Sequence, residues 1–245
     1  MDLSVLVNTN SKIKDLWDLF RVNFENNFDL KCPIYWASDE IVFSGDNHQS
    51  LIYKTSDSFR EQLLSCLELI PSKYVLFISE DYLLYNKVDM DSIRKFYYFL
   101  ESNETYSFVR LQKGIDTLGI KISNYDLFLL TPRVPYFYSQ TAAIWRTSDL
   151  LKIFKGGSNG GIGRTDGGIQ FEDSAQWVCK NLNLIGSYYY DNEPKRGDYH
   201  YDSKVFPCIH TALVSGKWNF KEYQKELLSL SNFNSIDTSI RGRFI

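Results

Sequence analysis

The chain has 245 residues, long enough to bury a sizeable core without disulfide or metal staples. Hydrophobic residues make up 44% and charged residues 23%, a globular composition that excludes a disordered tail. The formal charge of −3, with no block of Lys or Arg, argues against a surface for double-stranded nucleic acid, while single-strand binding on aromatic platforms stays open.

Residues 3–7 (LSVLV) form a short apolar run that meets Asn8-Thr9-Asn10, as a buried strand meets a polar turn. Ser11 is placed to cap a helix whose apolar side is Leu16, Trp17, Phe20 and Phe24. Residues 33–37 (PIYWA) read as a second strand ending at Ser38-Asp39. The clearest helix covers residues 58–70. Ser58 and Glu61 stand at capping-box spacing, Phe59, Leu63, Cys66, Leu67 and Ile70 share one side, and Pro71 stops it. Residues 74–79 (YVLFIS) are continuously apolar, as a strand covered on both faces is, and they end on Glu80-Asp81. A further helix over 91–100 has Ile93, Phe96, Tyr97 and Leu100 on its apolar side.

This alternation predicts an α/β fold with a mostly parallel, doubly wound sheet. Ligands of such sheets sit beyond the carboxyl ends of the strands. Asn8, Thr9, Asp39, Glu80 and Asp81 all fall at such ends.

The second half is less regular. Residues 106–130 read as short strands joined by turns, 138–145 as another strand, and 149–154 as a short helix. The Gly-rich stretch 156–168 (GGSNGGIGRTDGG) reads as a mobile loop suited to close over a bound donor. A helix around 171–181 buries Phe171, Ala175, Val178 and Leu182 and turns Glu172 and Asp173 away from the core. Residues 218–230 read as a final helix, followed by an extended tail. No repeat or domain boundary shows. The chain therefore reads as one domain over 1–245, with a donor half to about 105, an acceptor and catalytic half to about 220, and a helix with tail beyond.

Cys32, Cys66, Cys179 and Cys208 form no CxxC pair and read as buried free thiols, which suits a reducing compartment. No secretory leader opens the chain and no run of eighteen apolar residues exists. A cytoplasmic protein is expected, with peripheral contact to a membrane surface left open.

Two acid pairs stand out. Glu80-Asp81 at the end of a buried strand suits a divalent cation bound to a diphosphate, or else begins a solvated turn. Glu172-Asp173 at a helix start suits a general base for a sugar hydroxyl, or else plain helix capping. Among the three histidines, His210 sits in an apolar segment, either as a core residue or as a metal ligand. His200 lies in a Tyr/Asp-rich loop where it could meet substrate, and His48 reads as surface loop. Arg110, Lys195, Arg196 and Lys217 are candidates for meeting a diphosphate. The 17 Tyr, 17 Phe and 5 Trp offer flat faces for sugars, with Tyr138, Trp145 and Tyr189 as acceptor candidates, or else fill the core. No phosphate loop, GxGxxG, GxSxG or HExxH pattern is present.

In layout, residues 3–218 resemble a nucleotide-sugar-dependent glycosyltransferase of the GT-A fold. LSVLVNTN resembles the donor-binding opening, SKYVLFISEDYLL the strand that delivers the acidic motif, FEDSAQW the acidic helix start, and PCIHTALVSGKW the late segment with a histidine. The resemblance implies a GT-A-like central sheet with a smaller mixed-strand acceptor subregion. It implies a nucleotide-sugar donor, UDP-linked first of all, Mn²⁺ or Mg²⁺, and a glycan or glycoconjugate acceptor. Asn8, Thr9 and Asp39 would hold the nucleoside, and Asp81 with Glu80 would meet metal and diphosphate. His210 would be a further metal ligand, Lys217 or Arg196 would meet the phosphates, and Asp173 or Glu172 would be the base of an inverting transfer. The sequence departs from the family's Asp-x-Asp, since Ser79-Glu80-Asp81 stands there. A nucleotidyltransferase of similar fold, or a non-catalytic carbohydrate- or protein-binding module, is the alternative.

Overall fold

The computed structural model describes residues 1–45, 47–114, 116, 118–158, 167–198 and 200–245. Its first half winds as the apolar pattern predicts. β1 (Leu3–Asn8) leads through a 3₁₀ turn (Ser11–Leu16) into α1 (Trp17–Asn27), then β2 (Ile34–Ser38), β3 (His48–Ile52), α2 (Phe59–Leu67) and β4 (Tyr74–Ser79). The four strands run parallel in the order β3-β2-β1-β4. Val5, Val7, Leu76 and Ile78 pack into one helical layer; Leu6, Val75 and Phe77 pack into the other. Burial on both faces is why these runs lack alternation.

The Ser58–Glu61 capping box forms in both directions. At the first helix the cap differs from expectation. Asn10 accepts from the Lys12 N–H, while Ser11 turns to Asp39. β3 is an edge strand in a segment expected as loop. His48 is fixed there, its Nδ1 accepting from Trp36 Nε1 at 2.9 Å and its Nε2 lying 3.0 Å from Glu25.

Beyond β4 the chain makes β5 (Leu83–Leu84), α3 (Met90–Ser102), β6 (Tyr106–Arg110), β7 (Lys121–Ile122), β8 (Leu127–Leu130) and β9 (Ala143–Arg146). α4 (Thr147–Gly156), α5 (Gly167–Asn181) and β10 (Ile185–Tyr189) follow. The full sheet has nine strands in the order β3-β2-β1-β4-β9-β6-β10-β8-β7. β9 is antiparallel to both neighbours, as is β8, and the other strands point one way. The fold is thus GT-A-like: a mostly parallel sheet between helical layers, with small mixed sheets beside it.

Three expectations change in this half. Residues 138–142 are not strand, because side chains of α5 take their backbone donors: Tyr138 N–H goes to Gln176 and Gln140 N–H to Glu172. Both helices flanking the Gly-rich stretch are longer than expected, so Gly156 ends α4 and Gly167 opens α5. Residues 159–166 of that stretch lie outside the described residues, and with them the idea of a closing loop. Leu182 is exposed beyond the end of α5, and Leu184 is buried in its place.

The last third builds the small sheets. β11 (Lys195–Arg196) pairs with β12 (His200–Tyr201), and β13 (Cys208–Ile209) pairs with β5. β14 (Leu213–Val214), β15 (Lys217–Asn219) and β16 (Arg243–Phe244) form a third sheet around α6 (Phe220–Ser229). The last residues are therefore no free tail. β16 docks parallel to β15, and Arg241 Nε meets Asp15 Oδ2 at 2.6 Å. All four cysteines are buried and free. Among the described residues no helix is long and apolar enough to cross a membrane.

Candidate active site

Sheet register brings the predicted donor-side residues to one edge. Asn8 is level with Ala37 of β2 and Ser79 of β4, so Thr9, Asp39 and Glu80 leave the sheet side by side. Each has a partner. Thr9 is buried, its hydroxyl accepting from Trp17 Nε1 at 2.7 Å and its carbonyl from the Tyr53 hydroxyl at 2.7 Å. Asp39 accepts from the backbone and hydroxyl of Ser11, both at 2.7 Å. Burial works to raise its carboxyl, but the Ser11 bonds outweigh that and hold it below the usual range. Tyr53, at the end of the unforeseen β3, joins this edge. Its hydroxyl is held far up by burial and by the charges of Asp39 and Glu80.

Burial pushes both acids of the pair toward their neutral form. Glu80 is buried, and burial followed by the charge of Asp81 raises its carboxyl well above the usual range, against the pull of Arg241 and Thr9. Asp81 keeps part of its surface open, yet the surrounding protein pushes its carboxyl up to about 7. Among the described residues no three His, Cys, Asp or Glu side chains converge as a ligand cluster. The donor chemistry therefore fits a hard cation that takes one or two carboxylates and draws its remaining oxygens from substrate phosphates and water. It does not fit an all-protein cage. His210 is turned into the interior, with Nδ1 3.3 Å from Cys208 Sγ and its ring 5.4 Å from that of His200. Burial, then His200, depresses it to about 3.

A cavity of about 440 Å³ opens beside this edge. Its walls include Tyr82, next to Asp81; Arg110, at the end of β6; and Gln140, Glu172, His200 and Thr211. Glu172 is half-buried and accepts from Gln140 N–H at 2.7 Å. Burial raises its carboxyl, while the Gln140 bond and the charge of Arg110 lower it. Asp173, one position on, is exposed. His200 is held neutral by burial, at about 4.

The basic candidates divide. Arg196 gives its Nε to both oxygens of Asp202 at 3.0 Å and its Nη2 to Glu226 at 2.5 Å, so its charge already has two carboxylates. Lys195 pairs with Asp116 at 2.7 Å. Lys217 is exposed in a groove of about 750 Å³ that also takes in Lys12, Lys14 and Arg241. The aromatic acceptor candidates belong to the core instead. Tyr138, Trp145 and Tyr189 are 1%, 1% and 6% exposed, and Trp145 stacks on Phe108 at 4.1 Å. The rings that line the cavity are those of Tyr82 and Tyr136 instead, among polar side chains.

Sequence reading missed Tyr53, Tyr82, Gln140 and Arg241. Tyr82 directly follows the acid pair and could have been found from that position, whereas Tyr53, Gln140 and Arg241 reach the site through pairing or docking distant in sequence.

No protein-family model matches the chain, and no curated protein matches it in sequence. Among solved structures it is similar to S. aureus TarS 1-349, with a TM-score of 0.50 and 18% identity over 83% of this chain and 60% of that one. It therefore spans less than two thirds of that protein's fragment. The mannosyltransferase PcManGT from Pyrobaculum calidifontis, in complex with GDP-Man and Mn²⁺, gives a TM-score of 0.49 and 14% identity over 80% of this chain and 58% of that one. The cytidylyltransferase IspD of Francisella tularensis gives 0.41 and 16% over 63% and 77%. At these identities the likeness is one of fold.

Proposed function

We propose that the chain is a glycosyltransferase that moves a sugar from a nucleotide-sugar donor, a UDP-sugar first of all, to a hydroxyl of a glycan or glycoconjugate. The observation that supports this reading is the place of Glu80-Asp81, which leave β4 beside Thr9 and Asp39 and are followed by Tyr82 on the wall of a cavity that Glu172 and Arg110 also line. Asn8, Thr9 and Asp39 frame the nucleoside end. Lys217, with Lys12 and Lys14, supplies positive charge for the diphosphate.

In the reaction, the acceptor hydroxyl attacks the anomeric carbon and passes its proton to a carboxylate. The bond to the diphosphate breaks, its electron pair leaves with the nucleoside diphosphate, and the anomeric centre inverts. Glu172 and Asp173 fall in the second turn of α5 and not at a helix start, and of the two Glu172 is the better supported base. It is on the cavity wall, its orientation is fixed by Gln140 N–H, and its raised carboxyl is closer to a useful basicity. A Mn²⁺ or Mg²⁺ ion held by Asp81, with Glu80 behind it, would screen the leaving diphosphate. The four buried free thiols support a reducing, cytoplasmic setting.

Calorimetric titration with UDP-, GDP- and CMP-sugars, with and without Mn²⁺, tests the reading. One donor is expected to bind with Mn²⁺, and Asp81→Asn is expected to weaken that binding about tenfold or more. Glu172→Gln should leave donor affinity alone and slow transfer by about 10²–10⁴; loss of rate in Asp173→Asn instead would move the base by one residue. Binding that needs Lys217 and no cation would remove the ion and keep the transferase. Failure of every donor to bind would overturn the reading. The rival is a nucleotidyltransferase, for which the NTNSKIK segment after β1 offers little of the Gly- and Lys/Arg-rich loop wanted, and pyrophosphate release from a nucleoside triphosphate would establish it.

A further inference from the structure

Arg110 is 2% exposed and lines the cavity, yet among the described residues it makes no ion pair. Its Nη2 donates to the carbonyls of Tyr136 at 2.7 Å and Phe137 at 3.0 Å. Among the described residues these are its hydrogen bonds, both from one end of the guanidinium. Buried charges in proteins are as a rule paired, because an uncompensated one forfeits several kcal/mol of hydration. Guanidinium does not escape by losing its proton: burial depresses Arg110 only to about 10. Among the described residues the nearby acid is Glu172, whose charge acts on Arg110 without an ion pair; it is held by Gln140 N–H and has its own carboxyl raised by burial. The rest of the wall is neutral: His200, uncharged at neutral pH with a buried Nδ1 that has no partner, stands with Ser139, Gln140, Thr141 and Thr211 beside the rings of Tyr82 and Tyr136.

We propose that the cavity receives an acceptor bearing an anionic oxygen group, a carboxylate or a phosphate ester, and that Arg110 is the residue that holds it. The inference rests on the cavity being the acceptor side of the transferase described above. Either anion matches the donors of a guanidinium, whose planar fork takes two oxygens at once. The neutral polar groups around it are suited to the hydroxyls of the same acceptor. Pinning the 136–137 backbone would need only the Nη2 donors; the fixed charge facing a cavity is what that structural role leaves over.

The test compares charged and neutral probes of one shape by calorimetry on the full chain with UDP present: D-glucuronate against D-glucuronamide, and D-glucose 6-phosphate against D-glucose. The charged probe of at least one pair should bind about tenfold or more tighter than its neutral partner. The pair that shows the preference identifies carboxylate or phosphate ester. Arg110→Gln should abolish the preference, and Arg110→Lys should keep part of it. If Arg110→Gln fails to fold, as its thermal melt would reveal, the wild-type comparison still decides. Equal or undetectable binding within both pairs overturns the proposal, and so does a preference that survives in folded Arg110→Gln. Donor binding with no anion preference would remove this inference alone. An Arg110-dependent preference without binding of any nucleotide-sugar would remove the transferase reading and leave the anion site.

Discussion

His200 and His210 lie with their rings 5.4 Å apart in a layer too dry to charge either one. Burial holds His200 at about 4, against an ordinary value of 6.5. The folded state therefore binds fewer protons than the unfolded chain between those values. His200 contributes stability that is present above pH 6.5 and is lost as pH falls toward 4, on the order of 3 kcal/mol. Asp81 acts in the opposite sense. Its carboxyl, raised to about 7, favours the fold at low pH, and that contribution is lost as pH rises through 7. Urea denaturation of wild type and His200→Gln at pH 4 to 7 separates the two. The mutant should lose the acid-side fall that His200 causes and keep the Asp81 slope. Identical profiles would show that the imidazole is not the source. At this scale the sequence reveals the acids but not their states. Glu80-Asp81 and Glu172 stand out as charges where apolar patterns end. Arg110 looks like any lone basic residue until burial and the want of a carboxylate set it apart.

Elements follow local pattern wherever one face or one cap decides them. α2 forms where Ser58 and Glu61 satisfy each other's backbone donors, and β1 and β4 form where apolar runs need cover on both sides. β3 and residues 138–142 did not read correctly, because a partner elsewhere in the chain decides them. His48 becomes strand by pairing with Ile34 of β2, and Tyr138 and Gln140 leave strand geometry for side chains of α5. Gly186 of β10 shows the same dependence. A methyl group there would stand 2.3 Å from the Phe108 ring of β6, which is itself stacked on Trp145 at 4.1 Å and edge-on to Phe137 at 5.2 Å. That ring has no room to yield. Gly186→Ala should cost about 1–3 kcal/mol, read as a lower denaturation midpoint at unchanged slope. A midpoint equal to wild type would mean the sheet gives way more easily than its packing indicates.

Across the whole molecule, the C-terminal segment closes onto the turn that follows β1. Arg241, near the C-terminus, bonds Asp15 after β1, and its charge moderates the raised carboxyl of Glu80. β16 locks the same segment onto β15. Deleting residues 236–245 removes an exposed ion pair and a short strand, so the expected loss is modest, on the order of 1 kcal/mol. Thermal unfolding of the truncated chain should show a lowered midpoint. An unchanged midpoint would mean that the docked end adds nothing to the fold.

The sequence by itself determined the wound α/β core, the capped start of α2 and the acid pair where β4 ends. Each follows from interactions within a few residues: apolar periodicity, a capping box, or charges at the end of a buried run. Only the tertiary structure decided that β9 inserts antiparallel between β4 and β6, that Arg196 is neutralised by Asp202 and Glu226, and that Arg110 is left without a counter-ion on a cavity wall. Strand order, ion pairing and desolvation depend on groups that are far apart along the chain and adjacent only after folding. Local pattern carries no trace of them.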